Sequence, residues 1–295
     1  MENHKPAPPW IAVAPHLFVV LWATGFVVAR LSAGHVEPLT FLSIRFPIAG
    51  TLFAGIALFQ RAPWPGARLA FHAAVAGALL HGAYLGPVYW VVAHGMPAGV
   101  SALIVGLQPL MTTILAALMV GETIARRHWL GLVVGIIGVG LVVWPKIAMG
   151  AVDGITPLTT GLNVLGAFCV SLGTVYQKRF ATGVNMASGG FWQYVGASIV
   201  VLACAATWEN FGFDGSFNAW FALGWSVIVL SLVAITLLML LIRHGDVSRV
   251  SGLIFLVPAV SALMAYGLFH ETLVPLQMLG MAVCAGAVFI VTRKT

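Results

Sequence analysis

Leu107-Gln108-Pro109-Leu110-Met111, followed by Gly121-Glu122-Thr123 and Trp129-Leu130-Gly131, is a pattern that this chain carries twice. Moved along by 149 residues it falls on Leu256-Val257-Pro258-Ala259-Val260, His270-Glu271-Thr272 and Met278-Leu279-Gly280. Leu107/Leu256, Pro109/Pro258, Ala116/Ala265, Glu122/Glu271, Thr123/Thr272, Leu130/Leu279 and Gly131/Gly280 match without a gap, seven identities in 25 positions. Two apolar helices share leucines and alanines by chance. Hydrophobicity does not explain a shared proline, or a shared Glu-Thr in the loop that follows. A fainter echo at offset 148 sets Gly25 against Gly173, Arg30 against Lys178 and Arg45 against Gln193. The chain therefore reads as one unit written twice.

The unit is built for lipid. Of the 295 residues, 60% are hydrophobic and 7% are charged, where a soluble domain carries about 25% charge. A soluble protein of this size has no way to keep so much apolar surface from water. That excludes an ordinary soluble enzyme, a nucleic-acid binder and a disordered chain. Ten apolar stretches separate at Gly, Pro and charged punctuation: 12–32, 37–59, 69–93, 97–120, 127–144, 157–177, 188–208, 217–242, 248–269 and 274–292. Each approaches the roughly 20 residues that a spanning helix needs. Lipid satisfies no backbone group, so helices are expected; a membrane barrel would show alternation, and these runs are continuously apolar.

Loop charge orients the spans. With the N-terminus inside, eleven of the fourteen Lys and Arg residues fall in inner segments. Arg30 and Lys146 fall in outer ones, and Arg45 lies within a span. The positive-inside rule then puts both termini in the cytoplasm, and it accounts for the net charge of +6 without an anionic partner. Five spans per copy is an odd number, so the second copy enters the membrane inverted. Inverted repeats are a ground plan of alternating-access transporters, with the substrate site near the midplane between the halves. Cys169, Cys204 and Cys284 lie in apolar runs and read as small core residues. Lys5 followed by Pro6, Pro8 and Pro9 does not read as a cleavable signal peptide.

Trp22-Ala23-Thr24-Gly25-Phe26, Pro109 followed by Gly121-Glu122, and Val257-Pro258 followed by His270-Glu271 resemble the EamA family of the drug/metabolite transporter superfamily. The resemblance covers 12–145 and 158–293, one five-helix repeat each. It implies an inner-membrane exporter, most similar to bacterial amino-acid and aromatic amino-acid exporters. It also implies that the fifth and tenth helices pack together, away from a cavity enclosed by the other eight. His270 stands where the family usually has Gly, which weakens the expectation of a strict turn there.

Catalytic signatures are absent: His270-Glu271 lacks the second His of a zinc-binding HExxH, and there is no nucleophile elbow or phosphate loop. All eight acids, Glu2, Glu37, Glu122, Asp153, Glu209, Asp214, Asp246 and Glu271, fall in loops or at span ends. Ion-coupled carriers keep an ionisable group at depth. The candidates here are Arg45, which stays charged near neutral pH, and His81. Weak or absent ion coupling is expected, with His81 as the route by which a proton would enter. Glu122 and Glu271 open the fifth and tenth helices, as dipole-stabilising carboxylates or as gates. Pro109 and Pro258 lie within helices, where proline bends the axis, as hinges or as fixed kinks. Gly131 with Gly135, and Gly280 with Cys284, are small-xxx-small packing patterns.

Polar and aromatic residues at mid-span are the candidates for substrate contact: Trp22, His81, Tyr84, Gln108, Tyr176, Gln177, Trp225, Phe255, Ser261 and Tyr266. The set is neutral and aromatic, which suits a zwitterion or a neutral amphipathic molecule. A phosphate carrier would need several Lys or Arg at depth, and only Arg45 is there. The expectation is an all-α membrane protein that exports small organic metabolites, amino acids including hydrophobic or aromatic ones. It is expected to act as a monomer among membrane lipids, with no cofactor, metal or nucleic acid. A broad exporter of toxic compounds, a membrane-embedded enzyme and a channel are the alternatives, in that order.

Overall fold

The computed structural model describes residues 10–121, 126–148, 154–237, 257–270 and 274–292. In chain order its helices are α1 (Trp10–Ser32), α2 (Pro38–Phe59), α3 (Ala67–Ala93), α4a (Ala98–Val105), α4b (Gln108–Val120) and α5 (Arg126–Ala148). The second half holds α6 (Pro157–Phe180), α7 (Met186–Trp208), α8 (Phe217–Leu237), α9 (Val257–Phe269) and α10 (Pro275–Thr292). Among the described residues the only bridge between extended segments joins Val36 to Phe213. Six helical stretches of 21 to 27 residues are long and apolar enough to cross a membrane, since 21 residues reach about 31 Å. Four shorter apolar helices, His16–Ser32, Trp129–Gly138, Val260–Phe269 and Met278–Ala287, accompany them.

The polarity of the bundle is that of a protein dissolved in lipid. Phe59, Phe217 and Leu118 are 91%, 79% and 76% exposed, while Asn163, Ser101, Ser171, Ser226 and Ser261 are fully buried. The buried hydroxyls and amide link helices to one another. Ser101 Oγ donates to Asn163 Oδ1 at 3.1 Å, and Asn163 Nδ2 donates back to the Ser101 carbonyl at 3.1 Å. Ser261 Oγ donates to the Ala23 carbonyl at 3.1 Å. Where lipid offers no hydrophobic contrast between helices, such bonds and close small-residue packing hold them. Gly77 and Gly196 supply such packing between helices. A Cβ at Gly77 would strike the Gln193 carbonyl, and one at Gly196 the Ala74 carbonyl, so α3 and α7 touch backbone to backbone.

Helix starts follow from local sequence. Thr156 and Thr159 form a reciprocal capping box in front of Pro157, with 3.1 and 2.9 Å bonds. Asn185 Oδ1 accepts the Ala187 N–H at 2.9 Å and opens α7. At the other end of α4b, Gly121 has φ +80° and ends the helix. His270 occupies the equivalent place after α9 and also has φ +54°. Each closes on the carbonyl four residues back, Gly121 on Ala117 and His270 on Tyr266. The expectation of a relaxed turn at His270 is therefore corrected: the left-handed turn is kept, and histidine tolerates it better than most side chains.

The equivalence extends to the irregular parts. α3 contains a π-helical segment, Ala78–Gly82, and α8 contains another, Ser226–Ala234. Shifted by 149, the first lies at 227–231, inside the second. α5 pairs extensively with α10. There Cys284 Sγ donates to the carbonyl of Gly135, 149 residues earlier, at 3.7 Å. Equivalent positions of the two copies thus touch.

Candidate functional site

α4 is broken where the sequence placed a bend. α4a ends at Val105, Gly106 and Leu107 form a turn, and Pro109 stands at the start of α4b. Proline has no N–H for the carbonyl four residues back, here that of Val105. A Cβ on Gly106 would come within 2.9 Å of Pro258 Cγ. Pro258 of the second copy therefore packs against the break that precedes Pro109. With Trp22 and Phe26 of α1, Val105, Gln108 and Val257, the two prolines line an open cleft. Its volume is ≈ 20 Å³, room for about one water and too little for an amino acid.

A second, polar neighbourhood lies on the other side of α1, between α2, α3, α7 and α8. Arg45 is 5% exposed, seven residues into α2, or about 10 Å along its axis. Its Nη1 donates to Tyr89 Oη at 3.1 Å, and its Nη2 and Nε donate to Ser231 Oγ at 3.3 and 3.4 Å. Its guanidinium carbon lies 5.9 Å from the centre of the Phe46 ring. Next to it, the His81 ring stacks on Tyr194, centroids 4.9 Å apart and 9° from parallel. His81 Nε2 meets Gln193 Oε1 at 3.4 Å. Tyr84, also buried, completes the group. His81 belongs to one π segment and Ser231 to the other, and such segments recur at functional sites.

The remaining expected residues are dispersed. Trp225 Nε1 donates to Thr24 Oγ1 at 2.9 Å and ties α8 to α1. Ser261 is spent on the Ala23 carbonyl. Tyr176 meets His72 Nδ1 at 2.8 Å and packs on Phe180, near the end of α6. Gln177 lies beside it, and its carbonyl accepts the Ala181 N–H that closes α6. Tyr266 is 62% exposed, on the outside of α9. Phe255, Glu122 and Glu271 lie outside the described residues. The structure thus gathers Trp22, Gln108, Pro109 and Pro258 in one place and His81 and Tyr84 in another. Tyr89, Gln193, Tyr194 and Ser231 were not expected. The pairing of Arg45 with Gln193 at offset 148 was the signal that could have found the second group.

The described acids all sit at one end of the bundle and join the two repeats there. Glu209 Oε1 accepts the Leu39 N–H at 2.9 Å, while its Oε2 accepts from Thr40 N at 2.7 Å and Thr40 Oγ1 at 2.8 Å. A carboxylate of the second repeat thereby caps α2 of the first. Glu37 Oε2 answers by accepting the Asn210 and Gly212 N–H groups at 2.9 and 2.7 Å. His35 Nδ1 lies 2.7 Å from Asp214 Oδ2. The Ser216 N–H and the His35 ring hold the Asp214 carboxyl down at about 2. At the opposite end the repeats meet through Ser188 Oγ on the Pro63 carbonyl at 2.7 Å and the edge-on pair Trp64–Phe191.

Comparison with known proteins identifies the architecture. The profile of the EamA-like transporter family matches residues 10–144 and again 160–293. The chain is 26% identical over 273 residues to the inner membrane transporter YedA of Escherichia coli (strain K12), covering 92% of this chain and 87% of that one. It is 24% identical over 288 residues to a probable amino-acid metabolite efflux pump of Salmonella typhimurium, covering 93% and 92%. A solved crystal structure superposes with a TM-score of 0.64 at 19% identity over 96% of both chains, a likeness of fold. With nearly the whole length matched in two copies, the chain belongs to the EamA-like transporter family.

Proposed function

We propose that the protein is an inner-membrane carrier that exports small organic metabolites, amino acids including hydrophobic or aromatic ones, by alternating access. It resides in the inner membrane, as its named relatives do, and it spans that membrane ten times. The repeats, 12–145 and 158–293, are inverted, and both termini are cytoplasmic. The basic residues support that orientation. The Glu37 end is then the outer one. The observation that carries the reading is the contact between the two copies: Gly135 meets Cys284, each π segment packs on helices of the other repeat, and Pro109 and Pro258 line one cleft. Two similar halves in contact along such a seam can exchange conformations, and that exchange moves the opening from one face to the other.

The cleft of Trp22, Gln108 and the two prolines, together with the His81 and Tyr84 group, forms the substrate path. Counterflow in liposomes loaded with unlabelled amino acids and fed labelled ones tests the function. Saturable exchange is expected; non-saturable flux would point to a channel, and exchange of lipophilic cations in place of amino acids to a broad drug exporter. Coupling is weak or absent, because the described acids are held in loops at the Glu37 end. Imposing a pH gradient is expected to change the initial rate by less than about twofold. A strict proton requirement lost in His81→Ala would overturn this part.

A further inference from the structure

Arg45 is the one described cation buried in the middle of the bundle, and its surroundings are unusual for such a charge. A guanidinium has five N–H donors. Among the described residues three are engaged, all by the hydroxyls of Tyr89 and Ser231. Among the described residues no carboxylate approaches it; Glu37, Glu209 and Asp214 are engaged at the Glu37 end. Nor does the side chain reach back to that boundary, as a snorkelling arginine would. Ser231 lies fourteen residues into α8, so the head group is turned toward the interior.

Desolvating a charge without a counter-ion is costly, and an intramembrane charge by default marks a site of use. Two further observations specify the use. Ser226, one π turn from Ser231 along α8, has a buried hydroxyl without a partner among the described residues. The Phe46 ring stands beside the guanidinium, and the rings of His81 and Tyr194 pack against Phe46. A planar fork with two donors unengaged among the described residues, hydroxyls at its flank and an aromatic cluster beside it is complementary to a carboxylate carried on an apolar body.

We propose that Arg45 binds the substrate's carboxylate, with Tyr89 and Ser231 holding the guanidinium in position. The substrate class is then amphipathic monocarboxylates, zwitterionic or anionic. This rests on the exporter reading and sharpens it. A single buried arginine neutralises one negative charge, so di- and triphosphates are excluded from the site by charge alone. Gln193, the equivalent of Arg45 in the second repeat, is neutral, so only one repeat offers a carboxylate anchor.

Three probes of one shape decide it: phenylalanine, 3-phenylpropionate and phenylalaninamide. Each is measured by counterflow in liposomes and by thermal stabilisation of the detergent-solubilised full chain. The wild type is expected to favour both carboxylates over the amide by about tenfold or more. Arg45→Gln should bring that ratio near one, and Arg45→Lys, which keeps the charge but loses the fork, should leave an intermediate ratio. Should Arg45→Gln not yield monodisperse protein, Arg45→Lys carries the test, and an unchanged ratio in it overturns the proposal. Equal handling of acids and amide by the wild type also overturns it, as does failure of every carboxylate to stabilise the chain. Saturable exchange without a carboxylate preference sinks the Arg45 assignment and leaves the exporter standing. Arg45-dependent carboxylate binding with no exchange of any amino acid does the reverse.

Discussion

The Glu37 end and the Arg45 cluster both place charges across the seam between the repeats, and they treat them in opposite ways. At the Glu37 end the glutamates are held by the chain itself: Glu209 takes three bonds from the start of α2, and Glu37 takes two from the loop before α8. At Arg45 the charge is deeper and its partners are fewer, three contacts of 3.1–3.4 Å to neutral hydroxyls. The first arrangement is a latch, complete without anything added. The second has donors to spare among the described residues. Charge-assisted bonds to backbone N–H groups are strong and short; long bonds to hydroxyls leave a guanidinium available to a better acceptor.

Breaking the interior should cost most. Gly196→Leu drives a side chain into the Ala74 carbonyl, and no rotamer avoids the first carbon. We expect a loss of about 3 kcal/mol or more, seen as a collapse of monodisperse yield and of the thermal midpoint in detergent. Breaking the latch should cost less. Glu209→Ala removes the cap of α2, worth about 1.5–3 kcal/mol for hydrogen bonds to a charged group. Thiol labelling of a cysteine placed at Asn210 should rise in that variant if the latch closes the Glu37 end. Unchanged labelling would reduce the latch to a cap.

His270→Gly sharpens the comparison between the repeats by making the second turn like the first. Relief of the left-handed strain, about 1–2 kcal/mol, outweighs the added freedom of glycine in the unfolded chain, about 0.5–1 kcal/mol. A gain of up to about 1 kcal/mol in thermal stability is expected. The smallest effect belongs to Asp214. Its folded value, about 2, lies below the ordinary 3.8, so its contribution is full above about 4 and fades as pH falls through about 2. The difference in melting temperature between wild type and Asp214→Asn should therefore be flat from pH 7 to pH 4 and shrink below that. A difference that instead grows as pH falls below 4 would overturn this assignment.

Composition made the helices legible, because lipid permits little else, and the Pro109/Pro258 and Glu122/Glu271 pairs made the duplication legible. Pro109 and Pro258 also led to the cleft, since a missing N–H has a structural consequence wherever it falls. The direction in which a helical residue faces was not legible. Tyr266 and Tyr84 are the same residue type in similar runs, yet one is 62% exposed and the other 7%. An alternation of exposed and buried faces carries little hydrophobic contrast when both lipid and interior are apolar. Nor were the partners of Arg45 legible, because Tyr89 and Ser231 lie 44 and 186 residues away and hydroxyls are ordinary in such helices. The π segments left no mark, as an apolar run reads the same at either pitch.

Gly135 against Cys284 has one more consequence. In a pair of identical chains related by a twofold axis, a residue on the axis meets itself, and both copies must be the same size and charge. Joining the copies into one polypeptide lifts that restriction. At this seam a sulfur can occupy the space that a glycine vacates. The same liberty lets position 45 be arginine while position 193 is glutamine. Identical chains would have brought two like charges to the centre of the bundle; the fused chain brings one. Duplication supplied the symmetry, and covalent linkage supplied the right to depart from it where a single positive charge is the useful number.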